Sequence, residues 1–198
     1  MKITFEFLPT LVFVVVMICW FVFAGVFLLR GKPPSPPEEK RDRGSLVGVA
    51  LQAVSYVIVW GGHRAAFTPI VSGNRPMAIA AGVLAIVAAI GSVSLVTSAV
   101  KTLGKEWSIT ARLVEEHRLA TSGPYAYVRH PIYTGMLGML VATGLAVSHW
   151  VALLAALLVF LIGTIIRVRS EDTLLREAFG DQFENYERSV SAIVPGLY

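Results

Sequence analysis

Long apolar runs separated by short polar segments dominate the sequence. Five runs contain no charged residue, and they extend over Leu8–Leu29, Ser45–Gly62, Met77–Val100, Ile132–Val147 and Trp150–Ile166. Several of them reach the roughly 17–25 residues that a helix needs to cross a hydrocarbon layer, whereas a soluble domain rarely contains even one such run. The pattern therefore predicts an all-α, multi-span transmembrane protein with about five spans.

The composition supports this class and argues against several others. Hydrophobic residues make up 55% of the 198-residue chain and charged residues only 15%, which is more apolar than one soluble core of this length requires. The single cysteine, Cys19, lies within the first run, so neither a disulfide framework nor a cysteine metal cluster is expected. Although the net charge is +4, the basic residues gather beside the ends of the runs, so nucleic acid is not an expected partner.

The distribution of basic residues predicts an orientation. Segments 30–44, 101–131 and 167–198 hold fourteen of the seventeen Lys and Arg residues, and Lys2, Arg64 and Arg75 lie elsewhere. Basic residues near span ends stay on the cytoplasmic side. We therefore expect an integral multi-pass protein with its N-terminus outside and its C-terminus in the cytosol, and the compact chain favours a prokaryotic plasma membrane.

Two connections shape the predicted architecture. Only Ser148 and His149 separate the last two runs, which predicts an antiparallel helical hairpin. The proline-rich, charged segment from Arg30 to Ser45 predicts a flexible linker on the inner side.

Residues with chemical capacity concentrate in two inner stretches, 117–135 and 167–186, at the base of this hairpin. Pro131 follows His130 at the start of the fourth run, which places His130 at a helix cap whose free N–H groups favour an anionic ligand group. Nearby aromatic faces suit a flat ring, and they belong to Tyr125, Tyr127 and Tyr133. The alternative is that Arg129, His130 and these tyrosines only anchor the chain at the interface.

In the second stretch, Arg167 and Glu171 lie four residues apart and share one helix face, with Asp172 beside them. Other charged residues there fit an ordinary solvated face, namely Arg169, Arg176, Glu177 and Asp181. An aromatic stripe interrupted by Gly180 predicts two short packing helices, and it consists of Phe179, Phe183 and Tyr186.

These stretches together resemble the isoprenylcysteine carboxyl methyltransferase family. The carrying motifs are HxLxTSGxYxxxRHPxYxG, an apolar hairpin, RxxxE and LxxxFGxxFxxY, in that order over about residues 103–195. The resemblance implies a catalytic region over 101–198, with a terminal hairpin and cytosolic helices forming the cofactor pocket, behind a three-span membrane region over 1–100. It also implies S-adenosyl-L-methionine as cofactor and a lipidic or prenylated methyl acceptor that arrives from the membrane lipid.

Carried over by motif position, the resemblance also assigns site residues. Arg167 would hold the substrate as the catalytic residue, and no metal is implied. The cofactor contacts would be His117, Arg118, Leu119, Ala120, Tyr125, His130, Pro131, Ile132, Tyr133 and Glu171. The family commonly has consecutive glutamates where this chain has Glu171 and Asp172, a shorter second acid.

The resemblance implies methylation of a carboxylate at the cytosolic membrane face. A carboxylate is ionised at neutral pH and needs no general base, and the guanidinium of Arg167 could hold it. Three other functions stay open at this point: a phospholipid-amine or thiol methyltransferase with the same pocket, a sterol-reductase-like enzyme that binds NADPH, and a membrane scaffold without enzymatic activity.

Overall fold

The computed structural model describes residues 7–28, 38–41, 44–65, 67–104, 112–114 and 118–196 of the chain. Its α-helices are α1 (Phe7–Leu28), α2 (Ser45–Gly61), α3 (Arg75–Leu103), α4 (Pro131–Val147), α5 (Trp150–Phe179) and α6 (Asp181–Ser189). A 3-10 helix covers Gly123–Ala126, and two short strands, β1 (Glu38–Arg41) and β2 (Arg112–Val114), complete the elements. The helical fold class is confirmed, and each predicted apolar run is a helix.

Three of these helices, α1, α3 and α5, are long and apolar enough to cross a membrane. The apolar helices α2 and α4 have 17 residues each. At a rise of about 1.5 Å per residue they extend for about 25 Å, a little less than a typical hydrocarbon layer. The expectation of about five spans therefore stays a prediction.

Helix α5 is longer than the sequence predicted. The fifth apolar run ends at Ile166, but the helix continues through the polar stretch to Phe179, for 30 residues in all, and Gly180, whose φ is +50°, follows it. The break at Gly180 is where the sequence placed it. The expectation of two short helices was wrong because the charged residues after Ile166 are compatible with helix and continue α5, so only α6 is a separate short helix.

Part of the proline-rich linker is also ordered differently from the prediction. Glu38–Arg41 pairs as an antiparallel strand with Arg112–Val114, and Glu38 lies opposite Val114. The prediction of a flexible linker was wrong for these residues because their backbone groups find partners in a second inner segment. Residues 29–37 and 42–43 of that linker lie outside the described residues.

The ends of the helices gather at two opposite ends of the bundle. At the tip end, which contains the hairpin tip Ser148–His149, the N–H of His149 donates to the carbonyl of Gly62 at 2.8 Å. A cleft of about 1230 Å³ at this end lies between the starts of α1 and α3, beside Arg64. The opposite end, which we call the base end, contains the starts of α2 and α4 and residue Arg167 of α5.

Small residues permit close helix contacts along α3. Ala85 and Ala89 of α3 are fully buried in a core shared with α1 and α4. A side chain at Gly82 would come within 3.1 Å of Val12 in α1. Helix α2 packs along α5 and α3 along α4, so elements of 1–100 and 101–198 share contacts. The division at residue 100 stays a prediction.

Candidate functional site

The site lies at the base end, where the start of α4 meets the polar part of α5. His130 is the residue immediately before α4, and Pro131 occupies the first turn of that helix. Proline suits this position because its fixed φ is helical and its missing N–H would have no partner in the helix. The predicted cap position of His130 is confirmed, and its side chain is only 6% exposed.

Two consecutive acids of α5 hold the imidazole ring of His130. Nδ1 lies 3.2 Å from Oε2 of Glu171, and Nε2 lies 2.9 Å from Oδ1 of Asp172. Burial alone would lower the pKa of His130, but its hydrogen bonds to Asp172 and Glu171 and their negative charges raise it to about 9. The ring is therefore an imidazolium at neutral pH and donates from both nitrogens.

Glu171 also connects this histidine to Arg167. The hydroxyl of Tyr133 donates to Oε1 of Glu171, and Nη2 of Arg167 lies 3.6 Å from the same oxygen. The guanidinium carbon of Arg167 lies 4.6 Å from the centre of the Tyr133 ring, a cation–π distance. The Tyr133 ring in turn stacks on His130 with centroids 5.5 Å apart. Glu171 is the most accessible of these residues, since 24% of its side chain is exposed.

The sequence did not identify Gln52 of α2 as a site residue. Nη1 of Arg167 donates to Oε1 of Gln52 at 2.9 Å. The signal was present, because Gln52 is a side-chain amide within an uncharged apolar run, and such residues rarely face lipid. The first hundred residues therefore contribute directly to the cluster.

Arg129 fixes the other side of the cluster. Its Nη2 lies 3.2 Å from Oδ2 of Asp172 and 3.3 Å from Oε1 of Glu187, and its Nη1 donates to the carbonyl of Val190 at 2.6 Å. An interfacial anchor would be largely exposed, but this side chain is only 8% exposed. Arg129 therefore has a structural role that the alternative prediction missed, and it gives the shorter acid Asp172 a partner besides His130.

The backbone just before α4 is hydrogen-bonded to the segment that follows α6. The backbone N–H of Arg129 donates to the carbonyl of Ser191, and that of His130 donates to the carbonyl of Ala192, both at 2.9 Å. These two N–H groups, which lie just before the helix, are therefore not free for an anionic ligand, because the chain returns after α6 and places its own carbonyls there. The expectation that N–H groups of the first helical turn bind such a ligand stays a prediction.

The remaining predicted cofactor residues lie in varied surroundings. Tyr125 is buried in the 3-10 helix, where burial and the nearby charges of Glu171 and Tyr186 raise its pKa. Pro131 is buried, and Ile132 packs against the core shared by α1, α3 and α4. Beyond these, Arg118 is exposed, Leu119 and Ala120 are half-buried, and His117 lies outside the described residues. The structure thus brings His130, Tyr133, Arg167 and Glu171 into one cluster.

The cluster is not arranged as a metal site. Glu171 and Asp172 bind opposite nitrogens of one imidazole ring, so the three side chains do not point at a common centre. Across the part of the chain that the structure describes, no group of His, Cys, Asp and Glu side chains has the arrangement of metal ligands.

Comparison with known proteins identifies a family whose members are similar to the part of the chain that contains most of this cluster. A family model described as phospholipid methyltransferase matches residues 78–182, which is more than half of the chain. The matched range includes α4 and the whole of the cluster except Gln52 and Glu187.

Several curated proteins are similar at modest identity. Protein-S-isoprenylcysteine O-methyltransferase of Schizosaccharomyces pombe is 32% identical over 101 residues, covering 50% of this chain and 43% of that protein. Protein-S-isoprenylcysteine O-methyltransferase B of Arabidopsis thaliana is 31% identical over 100 residues, covering 50% of this chain and 51% of that protein. Methanethiol S-methyltransferase of Pseudomonas deceptionensis is 38% identical over 74 residues, covering 37% and 27%. The resemblance to isoprenylcysteine methyltransferases is confirmed, and the chain spans about half the length of these isoprenylcysteine relatives.

Proposed function

The chain belongs to the phospholipid methyltransferase family, and from this premise we propose that it is an integral membrane methyltransferase that uses S-adenosyl-L-methionine. Its acceptor is the carboxylate of a lipid-tailed substrate of the isoprenylcysteine type. The observation that carries the proposal is the single cluster that Arg167 of α5 forms with Glu171, Tyr133 and His130. The two motif blocks on either side of the hairpin meet in this cluster.

The residues of the cluster suit the chemical groups of the methyl donor. S-adenosylmethionine contains an ammonium, a sulfonium, a carboxylate and an adenine ring. Glu171 is a partly exposed carboxylate that can hold a positive group, and the exposed ring of Tyr127, just after the 3-10 helix, offers a face for the adenine. His130 orients the Glu171 carboxylate, because Nδ1 of its imidazolium lies 3.2 Å from Oε2 of Glu171. The donor supplies a methyl group that is already activated on a sulfonium.

Arg167 is the residue that would hold the acceptor. A guanidinium binds a carboxylate through parallel hydrogen bonds and so fixes its orientation. The acceptor carboxylate is already ionised, so the chain needs to position it and exclude water rather than remove a proton. The burial of Arg167, which is 7% exposed, strengthens any charge interaction at this position relative to water.

In this proposal the site lies at the cytosolic face of the membrane. The sequence pattern predicts that the basic segments 30–44, 101–131 and 167–198 lie on the cytoplasmic side, and the pairing of β1 with β2 joins parts of the first two of them. The N-terminus is then outside and the C-terminus is in the cytosol. A lipidic acceptor can reach Arg167 from the adjacent leaflet.

A thiol is the second candidate acceptor. It is favoured by the 38% identity to methanethiol S-methyltransferase of Pseudomonas deceptionensis over 74 residues. With a thiol acceptor Arg167 would not need to clamp a carboxylate, so the two candidates differ in how strongly transfer depends on that arginine.

The test uses the purified full chain in detergent. Calorimetric titration with S-adenosylhomocysteine is followed by labelled-methyl transfer to a prenylcysteine, an aminophospholipid and small thiols. We expect binding and transfer to the prenylcysteine, with a product that releases labelled methanol in base, as a methyl ester does and an amine or thioether does not. A thioether product would favour the second candidate, binding of NADPH would favour a reductase, and binding of neither cofactor would overturn the proposal.

A matched pair of variants tests the cofactor contacts. Glu171→Gln should weaken S-adenosylhomocysteine binding by about 10–100-fold, since the lost charge is a half-buried, hydrogen-bonded one. Glu177→Gln changes an exposed acid on the same helix and should leave the affinity within about twofold. Equal affinities of both variants would exclude Glu171 from the cofactor site.

A further inference from the structure

Gln52 is a polar residue buried in the seam between α2 and α5. It is only 2% exposed, although the residues on either side of it are apolar. Its Nε2 donates to Oγ1 of Thr164 at 2.9 Å, and its Oε1 accepts from Nη1 of Arg167 at 2.9 Å. A buried amide is costly unless both its ends are hydrogen-bonded, and here both are.

The orientation of this amide is fixed by its partners. A guanidinium has only donors, so the oxygen of Gln52 must face Arg167. The NH₂ group must then face Thr164, whose hydroxyl oxygen accepts, while that hydroxyl lies on the same helix as Arg167. Gln52 thus holds the guanidinium at one end and is itself held at the other.

Two glycines bring α2 and α5 close enough for these hydrogen bonds. A Cβ at Gly48 would come within 2.4 Å of Cγ of Arg167, and a Cβ at Gly163 would come within 2.8 Å of the carbonyl oxygen of Gly48. The two backbones therefore touch one helical turn before Gln52. This contact also confines the aliphatic part of Arg167.

The partner of Arg167 on α2 is neutral, and this affects the charge that a ligand meets. Gln52 offers a carbonyl oxygen without a negative charge, so it orients the guanidinium without cancelling it. The carboxylate of Glu171 lies 3.6 Å from Nη2, beyond the distance of about 2.7–2.9 Å of a strong charge-assisted hydrogen bond. Glu171 is nearer to His130, at 3.2 Å.

We propose that Gln52 is a positioning residue that holds Arg167 over the Tyr133 ring and, being neutral, adds no negative charge beside the guanidinium where an anionic acceptor would bind. The proposal rests on the function proposed above and extends it, because it makes the N-terminal half of the chain part of acceptor selection. It predicts that a negative charge at position 52 removes the preference for an anionic acceptor while the fold is kept.

The experiment measures binding of a prenyl thioether that ends in a carboxylate and of its methyl ester, using the full chain in detergent. In the wild type the acid should bind at least about tenfold more tightly than the ester, as expected for one buried charge-assisted contact. In Gln52→Glu, which has nearly the same shape, the ratio should fall to about twofold or less while ester affinity stays within about twofold. Gln52→Leu removes the hydrogen bond without adding charge, so its ratio should lie between these values.

The control is Val54→Leu, a change of similar size on the exposed side of α2, which should keep the wild-type ratio. If Gln52→Glu does not fold, as judged by thermal unfolding in detergent, Gln52→Leu and Gln52→Asn decide the question on their own. A wild-type ratio in the folded Gln52 variants, or a wild type without preference for the acid, would overturn the role of Gln52.

Methyl transfer by the wild type separates this inference from the proposed function. Transfer to the prenylcysteine with an unchanged acid-to-ester ratio in Gln52→Glu would reject the role of Gln52 and leave the methyltransferase. The second outcome is that Gln52→Glu loses the preference for the acid over the ester while the wild type transfers no methyl group to any acceptor. This result would keep the role of Gln52 in anion recognition and reject the methyltransferase.

Discussion

Each end of the helix bundle contains an arginine with several hydrogen-bond partners, half-buried at the tip end and buried at the base end, but the two arginines have different kinds of partner. At the tip end, Arg64 donates to four backbone carbonyls, those of Thr68, Leu145, Ala146 and Ser148. At the base end, Arg167 contacts the side chains of Gln52, Glu171 and Tyr133. Arg64 therefore satisfies backbone hydrogen-bond acceptors, whereas Arg167 interacts with a group of side chains.

The difference separates a structural cation from one suited to chemistry. Three of the carbonyls at Arg64 belong to the end of α4, where helices carry orphan acceptors and partial negative charge, so the guanidinium satisfies groups that folding itself creates. The partners of Arg167 come from three helices and include a partly exposed carboxylate. Its surroundings can therefore change when a ligand binds, without loss of helix hydrogen bonds.

The largest expected effect is loss of methyl transfer at the base end. Arg167→Ala should reduce transfer by at least about 10³-fold, because the residue proposed to hold the acceptor is gone and the acceptor is no longer positioned. Binding of S-adenosylhomocysteine should stay within about threefold, since Arg167 is assigned to the acceptor rather than the donor. Labelled-methyl assays and calorimetry on the same preparation measure both quantities, and full turnover by Arg167→Ala would reject the assignment.

The next effect concerns the charge of His130. Its pKa of about 9 in the folded protein exceeds the ordinary value of 6.5, so between these pH values the folded state binds more protons than the unfolded state. Stability should therefore be fully present below about pH 6.5 and fall as the pH rises through 9, by on the order of 3 kcal/mol in total. Thermal unfolding in detergent at a series of pH values measures this.

The matched control is His130→Gln, which lacks the titrating ring. Its unfolding temperature should be lower at neutral pH and should show a smaller decline across this window. If wild type and His130→Gln decline equally, then the two acids do not stabilise an imidazolium in the folded protein.

The smallest effect is expected at the tip end. Arg64→Met retains much of the aliphatic volume but leaves the carbonyls at the end of α4 without their donors, so stability should fall by about 2 kcal/mol. Methyl transfer per folded molecule should stay within about twofold, because none of these contacts reaches the base end. A large loss of methyl transfer by folded Arg64→Met would contradict the assignment of a purely structural role to Arg64.

Much of this organisation could be predicted from the sequence because it depends on local patterns. Apolar runs indicate helices in a membrane protein, and the short Ser148–His149 connection requires a hairpin. Arg167 and Glu171 at a spacing of four residues indicate one helix face, and the structure has this pair on α5. The cap position of His130 before Pro131 is likewise a local signal.

The missed features depend on contacts between distant residues. Gln52 meets Arg167 across 115 positions of sequence, and no spacing rule connects them. The N–H groups of Arg129 and His130, just before α4, have partners that no local pattern indicates, because the carbonyls of Ser191 and Ala192 come from a segment after α6. Arg129 looked like an interfacial residue for the same reason, since its acceptors Asp172 and Glu187 become neighbours only in the folded chain.

Helix α5 is unbroken, so the site residues that it carries are on the same rigid helix as the apolar part that can cross the lipid. From Trp150 to Arg167 the helix rises about 26 Å, close to the hydrocarbon thickness of about 30 Å. A thinner bilayer tilts such a rod and a thicker one draws it inward, at a cost of fractions of a kcal/mol per Å. Because the acids follow Arg167 on the same rigid element, bilayer thickness sets how deep they sit relative to the lipid headgroups.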